Sequence, residues 1–305
     1  MKIIVTHLSV DLDAVTSIWL IKRFLPGWDS ASYDFVPAGE KLPGRYLRKG
    51  GVVEHVYENE VIHVDTGMGL LDHHHLEDNN VCAASITLDY VLNENKDLVS
   101  KKDKVHALRE MVNVVIDNDH FQEVYLPNPQ SYLHDFSLVA IIDGLKMVYP
   151  KDDLTVVELV STCLDSILRV FENRFAAEQD LQVGSKEFKT AWGSAIALES
   201  ANDAVMKIAQ KKGYVIVLRR DPKSGSIRIK ARPSKRSGST NSARSEKIED
   251  VDIDLSSVYR KLKKADPQAT WFLHASKRMI LNGSSKNPNS TPSILSVDEV
   301  IKILS

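Results

Sequence analysis

The sequence predicts an α/β protein of two domains: a mainly parallel N-terminal sheet flanked by helices, then a helical connector and a smaller C-terminal α/β domain. Three observations lead there. A chain of 305 residues exceeds the usual span of one hydrophobic core. Its first third alternates short β-branched runs with stretches of helical apolar spacing, the pattern of strands that pair in parallel and are covered on both faces. Hydrophobic residues make up 43% and charged residues 26%, the balance of a chain that collapses around a core.

Taken in order, Lys2 to Thr6 is apolar and β-branched, as in a strand buried on both faces, and Ala14 to Leu25 carries apolar residues at helical spacing. Strands are expected near Ser32 to Val36 and Val61 to Val64, and helices over Cys82 to Val91 and Val105 to Ile116. These place the first domain over residues 1–150. From Leu154 to Lys212 the pattern is helical, with Gly184 ending one helix and opening another, so residues 151–212 read as a connector. Residues 213–305 form the second domain. It opens with a hairpin, Tyr214 to Leu218 and Ser226 to Ala231, around the turn Asp221-Pro222-Lys223-Ser224-Gly225. An aperiodic loop from Arg232 to Ile248 follows, then helix Leu255 to Lys264, strands Thr270 to His274 and Met279 to Leu281, and helix Val297 to Leu304.

A net charge of −2 argues against a surface that binds polyanions everywhere, while leaving room for a local basic patch. The two cysteines, Cys82 and Cys163, form no CxxC pair, which points away from zinc knuckles and disulfide frameworks and towards a reducing compartment. The opening run MKIIVTHLSV breaks at His7 and Asp11, too early for a signal peptide or a bilayer span. A cytoplasmic protein without a membrane partner is the expectation.

Chemistry concentrates in two clusters. In His7-x-x-x-Asp11-x-Asp13 a strand end supplies an imidazole and the following loop two carboxylates at a helix start. Nitrogen and oxygen donors of this kind suit Mn²⁺ or Mg²⁺, and aspartates one residue apart can face two different ions. Alone, the motif also fits an ordinary helix cap. The second cluster is His63-Val64-Asp65-Thr66-Gly67, followed by Leu71-Asp72-His73-His74-His75. Three consecutive histidines beside an aspartate are poorly explained by packing, since each buried imidazole needs polar partners.

Together VTHLSVDLDAVTS, HVDTG and LDHHH resemble the first three motifs of the DHH phosphoesterase superfamily, and Val115-Ile116-Asp117-Asn118-Asp119-His120 is similar to the Ile-Asp-Asn element of its MYG-type exonucleases. The resemblance implies two Mn²⁺ ions, with Mg²⁺ as the alternative, held by His7, Asp11, Asp13, Asp65 and His73, with Asp65 bridging. It further implies that Asp117 is the sixth ligand, with Asp119 and His120 close enough to compete, that His74 is a catalytic helper, and that Asp72 orients a histidine. Asp143, in Ile-Ile-Asp-Gly, is a further candidate or a turn cap.

In the C-terminal part, Arg219, Arg220, Lys223, Arg228, Lys230, Arg232, Lys235 and Arg236 concentrate positive charge. Facing a metal site, they would hold a polyanion; otherwise they make a solvated hairpin tip. The segment Thr270-Trp271-Phe272-Leu273-His274-Ala275-Ser276 resembles the MYG-type C-terminal strand. This implies a DHHA1-like substrate domain in which Arg232 and His274, with Arg228 and Lys230, contact phosphate. Leu281-Asn282-Gly283 departs from the glycine-rich segment of many nuclease members. The function implied is Mn²⁺-dependent hydrolysis of phosphodiesters in short RNA, DNA or small nucleotides. A pyrophosphatase or exopolyphosphatase, and a metal-dependent nucleotide-binding module without turnover, are the alternatives.

Overall fold

The computed structural model describes residues 1–48, 50–234, 252–283, 287 and 289–305. The chain divides into two compact units, Met1–Glu172 and Asn173–Ser305. Each contains a mixed sheet covered by helices.

The first unit opens with β1 (Lys2–His7), α1 (Leu12–Phe24), β2 (Ser32–Val36), β3 (Tyr46–Arg48), β4 (Glu54–Val56) and β5 (Asn59–His63). Its sheet runs in the order β2-β1-β5-β4-β3. The central strands β2, β1 and β5 are parallel, as expected, but β4 pairs antiparallel with β5 and β3 antiparallel with β4. The sheet is therefore mixed. The β3–β4 extension was not foreseen, because both strands are three residues long and their apolar content is too short to show a period.

Alternation along β1 sorts the core. Val5, Val36, Val56 and Val61 cluster on one face. Ile4 and Ile62, fully buried, point to the other, where α1 packs on β1. Every residue of α1 from Leu12 to Ile21 is buried, so this helix is sandwiched rather than amphipathic. It ends at Leu25, ahead of Pro26-Gly27, with Lys22 and Arg23 in the last turn where cations favour the dipole. Around it lie α2 (Ala83–Glu94), the short α3 (Lys96–Val99), α4 (Lys102–Asp119) and α5 (Leu138–Val148). A long helix, α6 (Asp153–Gly184), is tied to α1 by Asp165, which accepts from the Trp19 indole at 2.9 Å and from Arg23 at 3.0 Å.

The second unit has β6 (Ser185–Thr190), β7 (Gly193–Glu199), α7 (Ala204–Lys211), β8 (Ile216–Arg220), β9 (Ile227–Ala231), α8 (Ser256–Ala265), β10 (Trp271–Leu273), β11 (Met279–Asn282) and α9 (Val297–Leu304). The sheet order is β10-β11-β9-β8-β7-β6, antiparallel except between β7 and β8. On one face, α7 buries Val205, Met206 and Ala209 against Ile196, Leu198 and Val217. On the other, α8 and α9 bury Val258, Leu262, Val300 and Leu304 against Ala195, Leu218 and Ile229. A Ser296/Glu299 capping box starts α9.

The expectation of helix from Leu154 to Lys212 is corrected here. Gly184 does end a helix, but two strands follow instead of a second helix. β6 is an edge strand whose exposed residues are polar, and β7 is rich in alanine, so neither shows the apolar β-branched run that marks a strand. The hairpin, α8, β10, β11 and α9 lie where the sequence placed them. Most of the aperiodic loop expected over Arg232 to Ile248, including Lys235 and Arg236, lies outside the described residues. Among the described residues no helix is long and apolar enough to cross a membrane.

Candidate metal centre

β1 and β5 run parallel side by side, so the loops leaving their carboxyl ends emerge together. His7 closes β1, and Asp65 stands two residues after β5. The β1–α1 loop turns through Ser9 at φ 59° and is held by Asp153 at the start of α6, whose carboxylate accepts from Ser9 N at 3.0 Å and Val10 N at 3.1 Å. Asp153 escaped the sequence reading, since nothing links residues more than 140 positions apart to a loop. Asp11 is the N-cap of α1: one carboxylate oxygen accepts from Ala14 N at 2.9 Å, while the other lies 3.7 Å from His7 Nε2.

Asp13, 2% exposed, sits in the first turn of α1, and its two oxygens accept from Ala83 N and Ala84 N, both at 2.7 Å. Those amides belong to the buried first turn of α2, where backbone N–H groups have no partner within the helix. Asp13 therefore satisfies α2 from a neighbouring helix, and its Oδ2 also lies 3.5 Å from His73 Nε2.

Asp65 is 3% exposed and adopts φ 52°, a left-handed conformation tolerated by aspartate better than by most residues. His7 Nε2 approaches its Oδ2 at 3.2 Å, and the His7 Nδ1 donates to Leu8 O at 2.9 Å, which fixes the tautomer that leaves Nε2 facing the carboxylates. Asp65 Oδ1 is buried and has no hydrogen-bond partner. Its nearest donors are His73 Nε2 at 3.5 Å and His74 Nδ1 at 3.6 Å.

The segment after β5 is organised by Asp72, 1% exposed, which accepts from Met68 N at 2.7 Å, His74 N at 3.1 Å and His74 Nδ1 at 2.8 Å. His74, half-exposed, is thus aimed by Asp72 and keeps Nε2 for other partners. His73 faces inward, with the His74 ring tilted at 44° and 4.5 Å away and the His120 ring edge-on at 6.2 Å. The third histidine of the run, His75, is exposed and belongs to none of the ligand groups.

The end of α4 separates the competing aspartates. Asp117, expected as the sixth ligand, is exposed and joins none of the candidate ligand groups, whereas Asp119 Oδ2 lies 3.6 Å from His73 Nε2 and 3.7 Å from His120 Nε2. Two positions along a helix turn the side chain by about 200°, so only one of the pair can face the cluster. His120 Nε2 approaches the carbonyl of Val81 at 2.9 Å. Asp143 lies on α5, exposed and paired with Lys146 at 3.2 Å, neither at a turn nor at the cluster.

Three groups offer ligand atoms within 4.8 Å of one another: His7/Asp11/Asp65, Asp65/His73/His74 and His73/Asp119/His120. Asp65 is common to the first two. Electrostatics fit a cation. Burial works against an ionised Asp65, but His7 and His73 hold it down at about 2. Burial and the neighbouring Asp65 push Asp13 up, and burial does the same to Asp119. The facing Asp65 carboxylate raises His73 to about 9. His7, despite burial, is raised to about 9 by Asp65 and the Leu8 carbonyl. Protons on two imidazoles thus balance crowded carboxylates, and a divalent cation would supply the same charge while giving the orphaned Asp65 Oδ1 a partner. The donor set, carboxylates and imidazoles without thiolate, suits Mn²⁺ or Mg²⁺.

In the second unit, Arg228 pairs with Asp203 at 2.7 Å, and Arg232 donates to Gly213 O. His274 Nδ1 interacts with Ser276 Oγ at 2.8 Å, and Lys230 lies half-buried on β9. Arg219 and Arg220 pair with Asp203 and Glu199, both at 2.9 Å, so much of the basic hairpin is neutralised by its own neighbours.

No protein-family model matches the sequence, and no curated protein does. Among solved structures the chain is similar to one described as the DHH domain of a member of the s1p family of ribosomal proteins, at 10% identity and TM-score 0.30, over 99% of this chain and 85% of the other. It is also similar to an uncharacterized protein from Helicobacter pylori G27, at 8% identity and TM-score 0.24, over 100% of this chain and 99% of the other. Likeness of that degree carries no functional argument, and the site has to be read from its own residues.

Proposed function

We propose that this chain is a metal-dependent phosphoesterase of the DHH type, hydrolysing phosphodiester bonds of short nucleic acid or small nucleotides. The observation that carries the reading is Asp65: buried, left-handed, flanked by imidazoles on both carboxylate oxygens, and left with one oxygen unpartnered. His7, Asp11, Asp13, Asp65, His73 and Asp119 would hold two Mn²⁺ ions. Such ions supply Lewis acidity, activating water and stabilising charge on phosphoryl oxygens.

The chain's own residues do the rest. Asp65 serves both halves of the site. Asp72 accepts from His74 Nδ1 and locks the ring, so that as an imidazolium His74 can donate from Nε2 to a phosphoryl or leaving-group oxygen. The Leu8 carbonyl holds the His7 proton on Nδ1 and keeps Nε2 as a donor of electrons. No nucleophilic side chain is needed.

The test is turnover under Mn²⁺ with two substrates: release of mononucleotides from a labelled oligonucleotide, and release of phosphate from pyrophosphate. The expected result is mononucleotide release, abolished in Asp65→Asn. Release of phosphate from pyrophosphate alone would support a pyrophosphatase, and release from neither would leave a binding module.

A further inference from the structure

A cavity of about 610 Å³ lies wholly within the second unit, at the end of the sheet where β8 finishes and β9 begins. Arg219 and Arg228 line it. They are directly opposite each other in the antiparallel β8–β9 register, where like charges repel. Arg219 is 6% exposed, and its Nε is buried without a hydrogen-bond partner. Burying a guanidinium beside another is costly unless an anion sits between them.

Asp203 occupies that place. Its Oδ2 accepts from Arg228 Nη1 at 2.7 Å, and its Oδ1 makes an ion pair with Arg219 Nη2 at 2.9 Å. It stands at the N-cap position of α7 yet caps nothing there; Asn202 takes the Ala204 amide instead. Asp203 is also half-exposed, so it can be displaced towards solvent at little cost. Asp221 is too far, at 3.6 Å, to replace it fully. Beside the arginines, the Ser226 hydroxyl, which accepts from Ser224 Oγ at 2.9 Å, offers a further donor, and Gly283 at φ 82° leaves room that a Cβ would close against Ser226 Oγ.

We infer that this cavity binds a small molecule bearing a terminal phosphate monoester, of nucleotide size, with the phosphate taking the place of the Asp203 carboxylate between Arg219 and Arg228. Paired guanidiniums favour phosphate through forked, charge-assisted hydrogen bonds. The volume falls within the range of pockets for ligands larger than a bare ion. The cavity is separate from the sheet end where Arg232 follows β9 and His274 follows β10: Arg228 and Arg232 are four residues of extended chain apart, about 13 Å. It does not depend on the metal-centre reading.

The experiment is calorimetric titration of the full chain in EDTA with 5′-AMP, inorganic phosphate and adenosine. AMP is expected to bind, with phosphate and adenosine each at least tenfold weaker. Arg228→Gln should weaken AMP at least tenfold, while Asp203→Asn, which removes the internal competitor, should tighten it several-fold. A thermal melt of each variant confirms that it is folded under the titration conditions. No AMP binding to either the wild type or Asp203→Asn would overturn the proposal, as would AMP binding that Arg228→Gln leaves unchanged.

Discussion

Replacing Asp13 with alanine should destabilise the protein even where no metal can bind. In the wild type its carboxylate accepts from Ala83 N and Ala84 N at 2.7 Å, and Cys82, Ala83 and Ala84 are all fully buried. Removing it leaves two buried amides without their acceptor. A stranded buried donor costs about 1–3 kcal/mol, so the pair should cost about 2–6 kcal/mol. That is a large share of the stability of an ordinary domain, about 5–15 kcal/mol. The assay is urea unfolding in EDTA, followed by circular dichroism, for wild type, Asp13→Ala and Asp119→Asn. Asp119 accepts no hydrogen bond among the described residues and ends a helix, where a carboxylate opposes the dipole, so its variant should unfold within about 0.5 kcal/mol of wild type or later. A loss below about 1 kcal/mol for Asp13→Ala would refute the view that this carboxylate caps α2.

Calorimetry with Mn²⁺ should show Asp119→Asn losing affinity at least tenfold while Asp117→Asn binds like wild type; equal losses would place both on the site. Asp153→Ala should weaken Mn²⁺ binding several-fold by releasing Ser9 and Val10, with the far-ultraviolet spectrum unchanged. His7 and His73, raised to about 9 from 6.5, contribute stability that is fully present below about pH 6.5 and lost as pH rises through about 9. The melting temperature in EDTA should therefore fall over that window, while Mn²⁺ affinity, which requires those protons to leave, should rise. A melting temperature flat from pH 6.5 to 9 would count against the His–Asp65 pairing.

Much of the first unit was legible because its buried strands are continuous β-branched runs and α1 is bounded by an aspartate and by Pro26-Gly27. His7 and Asp65 were placed at strand ends by the same reading, and parallel pairing then brings them together. The choice between Asp117 and Asp119 was not legible, since it depends on which face of α4 looks inward, and both faces near the helix end carry polar residues. Asp153 and Asp203 were invisible for a different reason: each acts on a loop or strand distant in sequence, and single carboxylates at helix starts are common. β6 and β7 were lost to composition, an exposed polar edge strand and an alanine-rich neighbour buried by both helical layers.

The double duty of Asp13 changes what its presence can testify to. A chain of this fold that handled no metal would still need that carboxylate to fold, and would keep Asp11 to begin α1. Neither residue, found intact, distinguishes a working centre from a retired one. Asp119 stands apart, because it accepts no hydrogen bond among the described residues and occupies a position that disfavours its charge. It is the one carboxylate of the three that folding alone gives no reason to keep.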